Sequence, residues 1–114
     1  GDFGVQLKTA LTNNEEMNEI FSSSELDQKA RRLSVVQPRL TSTLLRQAPA
    51  TVVVIFIVDE NGRVQDPKVQ RTTNPSFDRS ALAAIKQWKF EPAKVQGRSV
   101  SSRLRQSFSF ENNT

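Results

Sequence analysis

The sequence predicts an α+β domain, in which a small antiparallel sheet of about three strands has two helices packed on one face. A run of β-branched and aromatic residues at 51–58 predicts a buried strand, and the Asn61-Gly62 pair after it predicts a hairpin. Apolar residues then recur at helical spacing, and residues 99–110 alternate between apolar and polar side chains.

The chain divides by charge into an acidic arm and a basic domain. Residues 1–25 carry one Lys and five acids, and residues 26–114 carry 15 bases and seven acids, which gives net charges of −4 and +8. We therefore place an acidic N-terminal arm at residues 1–24 and the domain at residues 25–114. Two roles for the arm stay open: docking on the basic domain, where it covers a free sheet edge, or forming the end of a spacer.

Short apolar stripes predict the helices in the first half of the chain. Capping-box spacing before a short apolar face predicts a helix over about residues 13–21. Three leucines at helical spacing predict a second helix over about residues 40–47. Residues 35–37 stand before Pro38 and are therefore expected to be extended or irregular.

The hairpin follows the first strand. Because both Asn61 and Gly62 tolerate positive φ, they connect the strand at 51–58 to a partner strand at 63–71. Pro67 cannot donate to a ladder, so it implies a bulge or an edge in that partner strand.

A capped helix comes next. Asn or Ser caps it around Pro75, which is favoured in the first turn. Its apolar stripe predicts a core-facing side and consists of Phe77, Ala81, Ile85 and Trp88. An exposed binding anchor is the alternative for Trp88, but its position on the stripe favours core packing.

The last element, residues 99–110, is predicted to be one half-buried strand of about twelve residues. It pairs with either 51–58 or 63–71, and we expect it to present a free edge in either case. A free edge carries unpaired N–H and C=O groups and can accept another extended segment or a second copy of the chain.

The residue inventory excludes several classes of site. The sequence contains no His and no Cys, which removes the commonest general base, thiolate nucleophiles and Cys-based zinc sites. We expect no enzyme activity, no cofactor and no metal. Asp59, Glu60 and Asp66 lie near the hairpin, where turn formation explains them better than a calcium site does. The longest apolar run has seven residues, whereas a membrane-spanning helix needs about 20.

The run of residues 33–110 resembles the C-terminal domain of TonB-family energy transducers. The matching features are Gln37-Pro38, the strand at 52–58, the Asp59-x-Asn61-Gly62-Arg63-Val64 turn, Phe77, the segment Ala81, Ile85, Lys86, Trp88, Lys89, Phe90, Glu91, Pro92 and Ala93, then Gly97, Val100 and the closing Phe108-Ser109-Phe110. Two positions depart from the family pattern, because Leu40-Thr41 stands in place of Tyr-Pro and Ala50 in place of Gly.

The resemblance implies a function. It implies the periplasmic domain of an inner-membrane-anchored protein in a Gram-negative bacterium, with the membrane anchor outside this sequence, which opens at Gly1. The missing N-terminal part would connect it to a proton-driven motor of the ExbB and ExbD type. The domain would bind the TonB box of outer-membrane transporters by β-strand addition and transmit force for iron-siderophore or vitamin uptake.

The same resemblance implies the binding residues. The partner strand adds beside the last strand and near the Gln-Pro segment, without a cofactor, a metal or nucleic acid. The expected partner-binding residues are Gln37, Pro38, Arg98, Val100, Ser102, Arg103, Leu104, Arg105, Gln106, Ser107 and Phe108. A homodimer through paired edges stays open.

Two other classes of function remain as alternatives. One is a different envelope interaction module, such as a TolA-like domain or a TonB-like domain attached to a signalling protein. The other is a basic nucleic-acid-binding domain in which Arg103 and Arg105 contact phosphates, which predicts a steeply salt-dependent affinity. Nucleic-acid binding would require aromatic residues on the same strand face, but Phe108 and Phe110 have the opposite parity.

Overall fold

The computed structural model describes residues 3–11 and 26–112 of the chain. Within them the strands are β1 (Phe3–Leu11), β2 (Arg31–Ser34), β3 (Ala50–Val58), β4 (Val64–Thr72), β5 (Lys89–Glu91), β6 (Ala93–Val95), β7 (Arg98–Val100) and β8 (Ser102–Asn112). The helices are α1 (Ser42–Leu45) and α2 (Asp78–Ile85), and a 3₁₀ turn, Pro75–Phe77, leads into α2. The helix predicted over residues 13–21 lies outside the described residues.

The main sheet has four strands in the order β1-β8-β3-β4, and every neighbouring pair is antiparallel. Two small two-stranded sheets, β2–β5 and β6–β7, complete the fold. The α+β prediction is therefore confirmed. The main sheet has four strands, where about three were expected, because β1, from the segment assigned to the acidic arm, adds to it. The domain boundary between residues 24 and 25 stays a prediction.

The hairpin between β3 and β4 turns through residues 59–63. The backbone N–H of Asp59 donates to Arg63 O and that of Gly62 donates to Asp59 O, both at 2.9 Å. Gly62 has φ +82°, whereas Asn61 is not among the positive-φ residues of the described chain. The hairpin prediction is confirmed, but only one of its two turn residues adopts the left-handed conformation.

The core lies between α2 and one face of the main sheet. The predicted stripe is confirmed, because the four stripe residues are buried and Trp88 is only 1 % exposed. The ring centroids of Trp88 and Phe108 lie 5.7 Å apart, and those of Phe77 and Phe110 lie 4.8 Å apart. These contacts join the helix to β8, and burial rules out Trp88 as an exposed anchor.

The first helix is shorter than predicted. α1 covers Ser42–Leu45, and the Thr41 hydroxyl caps it by accepting the N–H of Leu44 at 3.2 Å. The described segments contain no helix that combines the length and the apolar character needed to cross a bilayer.

Candidate strand-addition site

β8 is amphipathic, and this property fixes its orientation in the sheet. The side chains of Leu104, Phe108 and Phe110 are buried in the core. Arg105 is exposed, and Arg103 is half-buried, on the opposite face. Because strand side chains alternate between faces, a one-residue slip would bring both arginines into the core. β3 pairs with β8 from Ala50↔Phe110 to Val58↔Ser102, which selects residues 51–58 as the predicted neighbour.

The edge of the sheet at β4 is irregular. Its pairing with β3 shifts register between Val53 and Val54 and again between Ile55 and Ile57. Asp66 has φ +52°, and Pro67 next to it has no N–H to donate. An edge of this kind resists addition of another strand.

The other side of β8 is regular, and it is occupied. β1 pairs with β8 antiparallel from Phe3↔Asn112 to Leu11↔Leu104, with no register shift. The expectation of a free edge along this strand is therefore wrong in the described structure. Of the two roles left open for the arm, residues 3–11 adopt the one that covers the edge.

The predicted site residues on β8 divide by face. Those with buried side chains are Ser102, Leu104, Gln106 and Phe108, and those that are half-buried or exposed are Arg103, Arg105 and Ser107. A strand that adds here contacts their backbone rather than their side chains, because the ladder groups lie in the plane of the sheet. Gln106 is an unexpected core residue, and its side-chain amide donates to Ser107 O at 2.9 Å.

Arg98 and Val100 lie on a different strand from the rest of the predicted site. They belong to β7, which pairs with β6 in register from Ala93↔Val100 to Val95↔Arg98. The chain leaves this pairing at Ser101 before β8 begins. The prediction of a single strand over 99–110 is therefore wrong, and these two residues do not line the β8 edge.

The Gln-Pro segment is anchored to the core by Trp88. The indole Nε1–H of Trp88 donates to Val36 O at 2.9 Å, while the ring of Trp88 packs on Phe108 of β8. Pro38 is buried and Gln37 is exposed. The segment is irregular here, as predicted from the position of Pro38.

A shallow pocket lies between this segment and α2. It has a volume of about 320 Å³ and is lined by Val36, Gln37, Arg39, Arg79, Ser80, Ala83, Ala84 and Gln87. Its two arginines make it a basic recess, and Gln37 is the predicted binding residue that faces it.

Two carboxylates have lowered pKa values, and both serve local structure. Burial opposes ionisation of Asp59, but hydrogen bonds from the N–H groups of Arg63 and Asn61 and from the Gln65 amide lower its pKa below 3.8. These bonds explain the acid at the hairpin, as the turn interpretation predicted. No group of three or more acidic side chains that could hold a metal occurs in the described part of the chain.

Glu91 is the second carboxylate, and it connects β5 to the strand beside it. Hydrogen bonds from the side chains of Arg31 and Gln28 lower the pKa of Glu91 below 4.5. Arg31 forms an ion pair with it across the β2–β5 sheet. No sequence pattern indicates that Arg31 and Glu91 form a pair, because the two residues lie 60 positions apart.

The sheet face away from α2 is basic and non-aromatic. Ile55 and Ile57 of β3 lie opposite Arg105 and Arg103 of β8 on this face. No aromatic residue of β3, β4 or β8 shares it, since Phe108 and Phe110 are buried on the helix side. Base stacking requires exposed rings, so this face offers no platform on which bases could stack.

Comparison with known proteins identifies the fold. The family model described as "Gram-negative bacterial TonB protein C-terminal" matches residues 44–111, which is more than half of the chain. The chain belongs to the TonB C-terminal domain family. The resemblance stated from the sequence is confirmed, and β1 lies outside the residues that the family model matches.

Two curated TonB relatives and one solved structure agree with this assignment. The chain is 35% identical over 60 residues to Protein TonB from Xanthomonas campestris pv. campestris strains B100 and ATCC 33913, and the match covers 52% of this chain. It spans only 27% of those relatives' length. The solution structure of the Pseudomonas aeruginosa TonB C-terminal domain matches with a TM-score of 0.62 and 24% identity, over 77% of this chain and 91% of that one.

The positions that depart from the TonB family pattern fit the structure without strain. Leu40 packs against the core, and Thr41 caps α1. Ala50 is buried at the start of β3. Among the described non-glycine residues, positive φ occurs at Asp66 and Gln96, so Ala50 does not need glycine's conformational freedom.

Proposed function

We propose that this TonB C-terminal domain is the periplasmic, partner-binding part of a TonB-type energy transducer and acts as an interaction module rather than as an enzyme. In this proposal it binds the TonB box of outer-membrane transporters by strand addition at β8. An ExbB/ExbD-type motor in the inner membrane supplies force through the N-terminal part of the full protein, and the force serves nutrient uptake such as that of iron-siderophores or vitamins.

The observation that supports strand addition is the regularity of β8 on its outer side. A nine-residue strand pairs there without a register shift, whereas the opposite end of the sheet is interrupted at two points. Backbone pairing needs no catalytic group, and its affinity comes from main-chain hydrogen bonds. The basic recess at Gln37 adjoins Val36, whose carbonyl accepts from Trp88, and in this proposal it offers a second contact for the flanks of an extended peptide.

The predicted binding residues stay part of the proposal in two groups. The β8 residues from Ser102 to Phe108 contribute backbone groups to the added strand. Gln37 and Pro38 contribute the neighbouring surface. Arg98 and Val100 lie on the β6–β7 hairpin, so their contribution would come from beyond the end of the edge.

Peptides with altered backbones test the proposal. The isotopically labelled domain is titrated with TonB-box peptides from transporters of the same organism, and amide shifts are followed along β8. Matched peptides carry backbone N-methyl groups at either odd or even positions. Because only one parity of a strand faces β8, one methylated series loses binding and the other retains it.

Three results would contradict the proposal. The first is the absence of β8 amide shifts with every peptide. The second is equal binding of both methylated series, which would show recognition by side chains rather than by strand addition. The third is a set of amide shifts confined to the α2 recess, which would place the peptide away from the sheet edge.

A further inference from the structure

β1 occupies the place that an added strand would take. Its nine residues pair one by one with Leu104 to Asn112 of β8, and β3 pairs with Ser102 to Phe110 on the other side. Along most of its length, β8 is therefore paired on one side with β1 and on the other side with β3, and the two pairings are equally long. One of them comes from the segment outside the family match.

The sequence of β1 matches the pattern of the strand it covers. The register places Val5, Leu7 and Leu11 opposite Phe110, Phe108 and Leu104, which are the buried positions of β8. Directly opposed residues share a face of the sheet. A slip by one position would exchange the apolar and polar parities, so the observed register is the one that the sequence favours.

Charge does not explain the pairing. β1 contains Lys8 and no acid, although residues 1–25 together have a net charge of −4. The acids of the arm lie outside the paired strand, at Asp2 and in residues 12–25. Exposed charge pairs contribute only about 0–1 kcal/mol each. The position of β1 is therefore explained by its backbone pairing with β8 and by the match between the apolar positions of the two strands.

We propose that β1 is an exchangeable internal occupant of the partner-binding edge, and that an incoming strand binds by displacing it. The identity of the incoming strand as a transporter segment rests on the proposed function. Because β1 belongs to the same chain as β8, its pairing is intramolecular, and an incoming strand has to compete with the effective concentration of β1 at the edge. The apparent affinity for a partner is then reduced by the fraction of domains whose edge is open.

Two double variants of the full chain separate exchange from permanent pairing. Val5→Ser with Leu7→Ser weakens the positions in phase with the buried face of β8. Gln6→Ser with Lys8→Ser alters the same strand at the opposite parity and serves as the control. The first variant is expected to bind a TonB-box peptide at least about ten-fold more tightly than the native chain, and the control is expected to bind like the native chain.

A second measurement does not depend on any transporter. A synthetic peptide with the sequence of residues 3–11 is added to the Val5→Ser, Leu7→Ser variant, and amide shifts and hydrogen exchange are recorded. The peptide is expected to restore protection to the β8 amides from Leu104 onward. In the native chain these amides are expected to be protected without any addition.

The outcomes distinguish this inference from the proposed function. Exchange of the residue 3–11 peptide with no binding of any TonB-box peptide supports the exchangeable edge and contradicts the transporter function. Equal TonB-box affinity in the native chain and in both variants overturns the inference, and it leaves strand addition to be judged by the N-methyl peptides. Failure of the residue 3–11 peptide to protect β8 also overturns it.

Discussion

Gly62→Ala is expected to destabilise the domain strongly because of a single close approach. Gly62 has φ +82°, and a Cβ built on it would lie 2.0 Å from the carbonyl oxygen of Phe90. Ordinary contact begins at 3.4 Å, so the backbone of β5 would have to retreat by the difference, about 1.4 Å. The obstacle is backbone rather than a flexible side chain, and it cannot turn away.

The size of the effect follows from three contributions. A left-handed conformation costs an L-residue about 1–2 kcal/mol. Movement of β5 disrupts the hydrogen bond from Phe90 N–H to Gly62 O, which is a loss of about 1 kcal/mol. It also displaces the Phe90 ring, which is 3 % exposed and packs on Phe56 and Trp88, and removal of such a ring costs about 3–5 kcal/mol. Because the Phe90 ring is displaced rather than removed, only part of that last cost applies. The free energy of unfolding is therefore expected to fall by about 4 kcal/mol.

Gly97→Ala is the matched control. Gly97 has φ +77°, but an added Cβ there meets no atom within 4 Å. This variant therefore isolates the conformational cost of about 1–2 kcal/mol. Urea unfolding is followed by the fluorescence of Trp88, the single Trp of the chain. With a slope of about 2 kcal/mol per molar urea, the midpoint falls by about 2 M for Gly62→Ala and by less than about 1 M for Gly97→Ala. Equal losses in the two variants would refute the steric argument.

Three other substitutions test separate parts of the fold. Trp88→Phe is expected to cost about 1–3 kcal/mol by circular dichroism, because it leaves the Val36 carbonyl without its buried donor; no loss would contradict the anchoring of the Gln-Pro segment. Arg31→Ala is expected to raise the pKa of Glu91 toward 4.5 in a carboxyl NMR titration. Since the pKa of Glu91 is lowered in the folded protein, the stabilisation from ionised Glu91 is complete above the unfolded pKa and is lost as pH falls through the folded pKa. An unchanged pKa of Glu91 in the Arg31→Ala variant would refute the pairing. Asn74→Ala removes the cap of the 3₁₀ turn and is expected to cost about 0.5–2 kcal/mol in urea unfolding, whereas a neutral effect would show that the cap is dispensable.

The elements that could be predicted from the sequence are those with a sustained pattern. α2 shows a repeat of about 3.6 residues and β8 a repeat of two residues, each over at least eight positions, and β3 is a continuous apolar run rich in β-branched residues. The short strands β2, β5, β6 and β7 have three or four residues. A stretch of that length contains too few repeats for its period to be recognised.

The division of the last strand at Ser101 carries no sequence signal. Val100 and Leu104 have the same parity, so the alternation continues through the point where pairing passes from β6 to β3. A change of partner is a tertiary event, and an in-phase pattern is compatible with either arrangement.

The occupied edge had a signal, but the charge of the arm obscured it. Phe3, Val5 and Leu7 alternate with small or polar residues, which is the pattern of a half-buried strand. The acids that surround this segment indicate a solvated arm instead. The outer edge of β8 was therefore predictable as a candidate site, whereas its internal occupant depends on a pairing between residues about 100 positions apart.

The irregular β4 border has a consequence for how copies of this domain associate. Growth of a β-sheet fibre requires every molecule to offer two pairing borders, one for the copy before it and one for the copy after it. The register shifts and Pro67 close one border, so the main sheet can be extended in one direction only. Direct edge-to-edge pairing of main sheets therefore ends at a closed pair of copies.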